Sequence, residues 1–151
     1  MSRLVLLDAG PLGLVTNPKG SDDSRRCKAW LAGLVTGGVR IMVPEGADFE
    51  VRRGLFLEGK RGGIDRLDKL GQQAGYLPVT FAVWRRAAEM WARARRGGYA
   101  TAEDAALDCD VILAAQAELA AEDGFDVTVA TTNVGHLGRF VDARTWETIE
   151  V

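Results

Sequence analysis

The run LVLLDAGPLG, Leu4 to Gly13, decides how the rest of this chain is read. Four aliphatic residues in succession, Leu4 to Leu7, suit a strand buried on both faces, as in parallel sheets. Asp8 closes the run, and Ala9-Gly10-Pro11 predicts a break from strand to loop directly after it. A carboxylate so near a core is costly unless its charge is compensated. What flanks the strand, and what Asp8 meets at its end, therefore govern the reading.

Outward from that strand, helical and extended patterns alternate. Asp22-Asp23 open a predicted helix that runs through Cys27, Trp30, Leu31 and Leu34 to Gly37-Gly38, acidic at its start and glycine at its end. Val39 to Val43 predicts a second strand. Pro44 then suits the first turn of a helix in which Phe49, Leu55 and Phe56 line one face, with Arg52, Arg53 and Lys60 on the other. Gly62-Gly63 breaks the chain, and Ile64, Leu67 and Leu70 space a further helix ending at Gly71 or Gly75. Tyr76 to Val79 predicts a short third strand. Thr80 caps a helix with Phe81, Trp84, Ala88, Trp91 and Ala92 inward and its arginines outward, ended by Gly97-Gly98. Past the loop YATAED, an alanine-rich helix is expected from about Asp108 to Ala121, with Val111, Ile112, Ala115 and Leu119 at core spacing. Asp126 to Ala130 predicts a fourth strand, and Trp146 to Val151 an edge strand. Strands alternating with helices predict an α/β fold, a mainly parallel sheet covered by helices on both faces, in one domain spanning residues 1–151.

Bulk properties narrow the function. The 151 residues are 47% hydrophobic and 26% charged, as in ordinary globular proteins. A formal charge of −2 provides no global basic field for nucleic acid, so any such contact is local or mediated by bound cations. Two distant cysteines, Cys27 and Cys109, form neither a zinc pattern nor a disulfide framework and read as reduced thiols. The opening residues lack a secretory signal, and no apolar run approaches a membrane span. A soluble, cytoplasmic protein without membrane attachment is expected.

In open α/β sheets ligands bind beyond the carboxyl ends of the strands. Asp8 falls at such an end, and Thr131-Thr132-Asn133 fall at another. Glu50 lies early in the helix after the second strand, and Asp110 in what is expected to be the first turn of the alanine-rich helix. Convergence of these segments would cluster carboxylates without matching cations, a setting that suits Mg²⁺ or Mn²⁺. Each residue also has a plain structural reading. Asp8 suits a turn cap, Glu50 a solvated helix face beside Arg52 and Arg53, Asp108 a helix N-cap, Asn133 a turn and His136 the surface.

Taken together, the segments resemble a PIN-domain nuclease, close in pattern to the VapC-type toxins of bacterial toxin–antitoxin pairs. LLDAGPLG resembles the family's first acid motif and assigns Asp8. PEGADFEVRRGL resembles the second and assigns Glu50. DCDVILAAQA resembles the acid followed by an aliphatic and alanine run, and assigns Asp110. VATTNVGHLGRF resembles the closing Thr-x-Asn motif and assigns Thr131 and Asn133. The resemblance spans about residues 4–140 and implies a three-layer α/β/α sandwich, a homodimer and Mg²⁺ or Mn²⁺. It also implies endonucleolytic cleavage of RNA and an antitoxin in the cleft. One departure concerns the place three residues after the asparagine, an acid in many relatives and here His136. Asp108 is then a further metal-ligand candidate, and His136 itself another, or three carboxylates with Asn133 and water suffice for one metal.

The expectation is a metal-dependent endoribonuclease. Arg52, Arg53, Arg85, Arg86, Arg139 and the pair Lys60-Arg61 are candidates for the RNA backbone. A catalytically weak PIN-like module that binds RNA or protein is the alternative. A flavodoxin-like phosphotransfer domain is a third, weakened by the lack of a glycine-rich phosphate loop and by leaving Glu50 and Asp110 without a role.

Overall fold

β1 (Arg3–Leu7) is the centre of a five-stranded sheet. The computed structural model describes residues 2–97, 104–135 and 137–151, so His136 and most of the YATAED loop lie outside the described residues. β1 pairs in parallel with β2 (Arg40–Pro44) on one side and β4 (Asp126–Thr131) on the other. β3 (Tyr76–Leu77) extends the first side and β5 (Ala143–Thr145) the second, both in parallel. The order β3-β2-β1-β4-β5 reverses direction between β1 and β4. That reversal opens a crevice at the carboxyl ends of the two central strands.

Alternation along β1 divides the core. Leu4 and Leu6 face a cluster built from α5 (Phe81–Arg96) and α6 (Asp104–Glu122), including Met90, Leu107 and Ala114. Val5 and Leu7 face a second cluster with Leu12, Cys27, Leu34 and Leu67, from α1 (Ala9–Thr16), α2 (Asp22–Thr36) and α4 (Arg61–Ala74). Ala47 of α3 (Glu45–Leu57) joins it. The three-layer α/β/α sandwich follows directly from β1 being apolar on both faces. Cys27 and Cys109 are free thiols, and no helix among the described residues is long and apolar enough to cross a membrane.

The predicted helix starts hold where a cap supports them. Ser21 accepts the Ser24 amide at the head of α2, and Thr80 accepts the Val83 amide at the head of α5. Elsewhere the structure corrects the expectation. No loop follows β1, because Asp8 itself caps α1 and Pro11 sits within the first turn, where its missing amide costs nothing. Gly62-Gly63 does not break the chain but lies in the first turn of α4, the break falling at Gly59 with φ 66°. α6 begins at Asp104, so Asp108 is not its N-cap and Asp110 is past its first turn. The last edge strand is β5, and Trp146 belongs to a 3₁₀ turn over residues 146–148. Phe49 and Phe56, expected on one face of the helix after β2, are both exposed.

The largest correction is the orientation of α5. Val83, Ala87, Met90 and Ala94 are buried, while Phe81 is 75% and Trp84 53% exposed. Both faces carry apolar residues at helical spacing, and the smaller ones pack closer to the sheet because α6, with Ala114, Ala115 and Ala117, lies tight against α5.

Candidate active site

Asp8 is placed by three bonds at the switch point. Its amide donates to Ala130 O at 2.9 Å, extending the β1–β4 ladder by one residue. Its Oδ1 accepts the Ala9 amide at 2.8 Å, which caps α1, and its Oδ2 accepts the Thr131 hydroxyl at 2.8 Å. Thr131, buried at the end of β4, also receives the Asn133 amide on its oxygen at 3.3 Å. The turn reading and the site reading of Asp8 are therefore compatible: one carboxylate oxygen caps a helix while the other is steered by β4. Gly10 makes this approach feasible, since a Cβ there would run into the Thr132 side chain.

Beside Asp8 opens a cavity of about 550 Å³. Asp8, Glu50, Arg53, Asp108 and Cys109 supply its polar lining together with Glu45, whose carboxylate accepts the Val79 amide. Phe49, Trp84, Ile112 and Leu113 are among its apolar walls. Glu50 is half-buried, and burial pushes its carboxyl above the ordinary value. A hydrogen bond from Cys109 opposes that rise, the charge of Asp8 adds to it, and Arg53 opposes it. The Cys109 thiol is itself pushed up to about 11, by burial first and then by the charge of Glu50 and the bond to it; Arg53 acts the other way, and Asp110 adds to the rise.

The structure thus brings Asp8, Glu50, Thr131 and Asp108 to one crevice. Asp110, half-buried on α6, is near enough to act on the Cys109 thiol but is not among the residues lining the cavity. Asn133 is exposed at the end of β4, held through its amide by Thr131. Cys109 and Gln116 were not foreseen. Their signal was the spacing Cys109, Leu113, Gln116 (i, i+4, i+7), which lies on one face of the helix already expected from about Asp108.

Several expected RNA contacts are engaged elsewhere. Arg52 is bound by Asp48 and Asp68, Arg86 by Glu118 and Glu122, and Lys60 by Glu58. Arg53 remains on the cavity itself.

The donor set suits a hard divalent cation: the charge of Asp8 adds to the cost of ionising Glu50, which such a cation relieves. Among the described residues, however, no three His, Cys, Asp or Glu side chains close around one point.

No family model and no curated protein matches the chain. Solved structures do. A chain of FitAcB from Neisseria gonorrhoeae is 22% identical, with 96% of this chain and 99% of that one covered and a TM-score of 0.67. A chain of VapBC2 from Rickettsia felis, bound to a DNA fragment from their promoter, is 14% identical over 95% and 98%, with a TM-score of 0.67. A chain of VapBC-1 from nontypeable Haemophilus influenzae is 15% identical over 96% and 99%, with a TM-score of 0.66. The fold is PIN-like. In this PIN fold the four sequence motifs fall at the carboxyl ends of β1 and β4, on α3 and on α6, all around the switch point.

Proposed function

We propose that this protein is a metal-dependent endoribonuclease that hydrolyses phosphodiester bonds of RNA, the toxin of a toxin–antitoxin pair. One observation carries the reading. Asp8 and Glu50, coupled electrostatically, share a cavity at the switch point of a parallel sheet, with Thr131 fixing the orientation of Asp8. The PIN fold shared with chains of the FitAcB and VapBC complexes supports the pairing with an antitoxin. A homodimer and a cytoplasmic location, with the whole chain as one PIN-like domain, complete the proposal.

Asp8 and Glu50 would hold Mg²⁺ or Mn²⁺, with Asp110 and Asp108 as further ligands from α6 and water in the remaining positions. The ion would supply charge neutralisation, a polarised water and relief of charge on the phosphate. The protein's own groups do the rest. Thr131 and the Ala9 amide lock Asp8 in one orientation, so no carboxylate rotation precedes reaction. Glu50 would orient the attacking water toward phosphorus and accept its proton at a carboxylate oxygen. Arg53 meets the phosphate charge at the rim, and Asn133 orients the scissile group at the mouth.

Purified protein with Mg²⁺ or Mn²⁺ is expected to cut total RNA, and Asp8→Asn to abolish cutting. Intact RNA with both proteins overturns the reading. A second reading, a catalytically weak PIN module, is favoured by the absence of a closed three-ligand set among the described residues. Calorimetric titration with Mn²⁺ separates the two: saturable binding lost in Asp8→Asn belongs to the nuclease, no binding to the module.

A further inference from the structure

Gln116 of α6 is a buried polar side chain, 2% exposed, in the walls of two cavities. One is the carboxylate cavity. The other, of about 440 Å³, lies against Leu4, Met42, Leu77, Pro78 and Phe125. Gln116 Nε2 donates to Leu77 O at 2.9 Å and to Pro78 O at 3.2 Å, where the chain leaves β3. A flip of the amide would set its oxygen against both carbonyls, so Oε1 is fixed as an acceptor. Among the described residues nothing donates to it. Buried polar atoms are nearly always paired, and an acceptor held this firmly calls for a partner. Leu77 and Pro78 line the second cavity and not the first, so the nitrogen is turned toward the second. That leaves the other branch of the planar amide for the carboxylate cavity.

We propose that Gln116 Oε1 accepts a hydrogen bond from the exocyclic amino group of an RNA base held in the carboxylate cavity. Gln116 is then a specificity-determining residue for the base next to the cut. The inference rests on the endoribonuclease reading and deepens it, by naming the bases that the site takes.

The chemistry of the wall selects this occupant. Phosphate oxygens only accept and cannot serve Oε1. A cationic side chain from a protein partner is drawn to the carboxylates of Asp8, Glu45, Glu50 and Asp108 rather than to a neutral amide. Near Gln116 the wall is apolar, with Ile112 and Leu113 one turn back on α6 and Val79 next to Pro78. A nucleobase fits both features, since its faces are apolar and its edge carries the donor. Cytosine and adenine present an amino group where uracil and hypoxanthine present a carbonyl oxygen. A carbonyl at that place sets two acceptors against each other.

The test uses the full-length protein with Mn²⁺ and an all-uridine decanucleotide whose central residue is uridine, cytidine, adenosine or inosine. Cytidine over uridine, or adenosine over inosine, is expected to raise kcat/KM for the central cut by about 5- to 150-fold. Gln116→Leu removes the acceptor and should bring that ratio to about 1. A merely structural role for Gln116 would slow all four substrates alike and leave the ratio standing, which overturns the proposal. Gln116→Asn, one methylene shorter and still an amide, withdraws the acceptor more mildly and should also shrink the ratio. Equal cutting of all four by the parent protein overturns the proposal, whether or not either variant folds, and leaves the nuclease reading intact. Failure to cut these oligomers or total RNA overturns both. Inhibition by N-acetyl-arginine amide that Gln116→Leu relieves, with no base preference, assigns the acceptor to a protein partner and overturns the base reading.

Discussion

A single hydroxyl, that of Thr131, ties the end of β4 to the end of β1 through its 2.8 Å bond to Asp8. Removing it leaves a part-buried carboxylate short of a donor, and hydrogen bonds to charged groups contribute about 1.5–3 kcal/mol. Thr131→Ala is therefore expected to lower stability by that amount in urea unfolding and RNA cleavage by at least about tenfold, the equivalent of 1.4 kcal/mol. Thr131→Ser should recover both. Unchanged cleavage in the alanine variant would mean that the orientation of Asp8 is set elsewhere. Cys109 gives a second prediction at this scale. Its thiol is raised from 9.0 to about 11, so at neutral pH its thiolate fraction is about 100-fold below that of an ordinary cysteine. Alkylation of Cys109, followed by mass spectrometry, should lag that of an ordinary cysteine by about 100-fold at neutral pH and keep rising with pH, levelling off only toward pH 11. Reaction at neutral pH at the rate of a free thiol would contradict the environment described. Asp8 and Thr131 were legible in the sequence because strand ends announce themselves. The bond from Cys109 to Glu50 was not, since it joins two helices whose relative rotation no local pattern encodes.

At the scale of elements, α5 shows where sequence patterning ends. Its N-cap was readable because Thr80 precedes the periodic run, and Thr80→Ala should cost about 1 kcal/mol, seen as a lower urea midpoint with an unchanged slope. Its buried face was not readable. Large aromatics spaced as Phe81, Trp84, Ala88 and Trp91 compete with the smaller Val83, Ala87, Met90 and Ala94, and only the close approach of α6 decides for the second set. The same reasoning applies to α1. Gly10 and Pro11 look like loop residues, yet the Asp8 cap and the proximity of Thr132 make a helix with a glycine at its contact point. Gly10→Ala therefore has a specific consequence. The added methyl displaces Thr132, one residue from Thr131, so cleavage should fall and the melting temperature with it. An alanine variant as active and stable as the parent would show that the contact yields freely.

For the whole molecule, the sheet order makes one crevice the meeting point of charge, and stability should report it. β1 was foreseeable as a buried strand from its apolar run, and Asp8 and Thr131 as residues at strand ends, but the pairing of β1 with β4 and the helix residues that face the crevice depend on packing across the sheet and its layers. The charges held there have a measurable cost. Burial and Asp8 raise the Glu50 carboxyl above its ordinary 4.5. A raised carboxyl binds its proton more tightly in the folded state, so its contribution to stability is full below pH 4.5 and is lost as pH rises through the folded value. Metal-free protein should thus lose stability from this group as pH climbs above 4.5, and Glu50→Gln should remove that part of the slope. Mn²⁺ acts in the opposite sense, since binding to the folded state alone stabilises by about 2.7 kcal/mol at a concentration 100 times the dissociation constant. Melting curves from pH 5 to 8, with and without Mn²⁺, should then diverge as pH rises, because the ion replaces the proton that Glu50 gives up. The divergence should vanish in Asp8→Asn and in Glu50→Gln. Parallel curves at every pH would mean that the ion, if it binds, does so away from these two carboxylates.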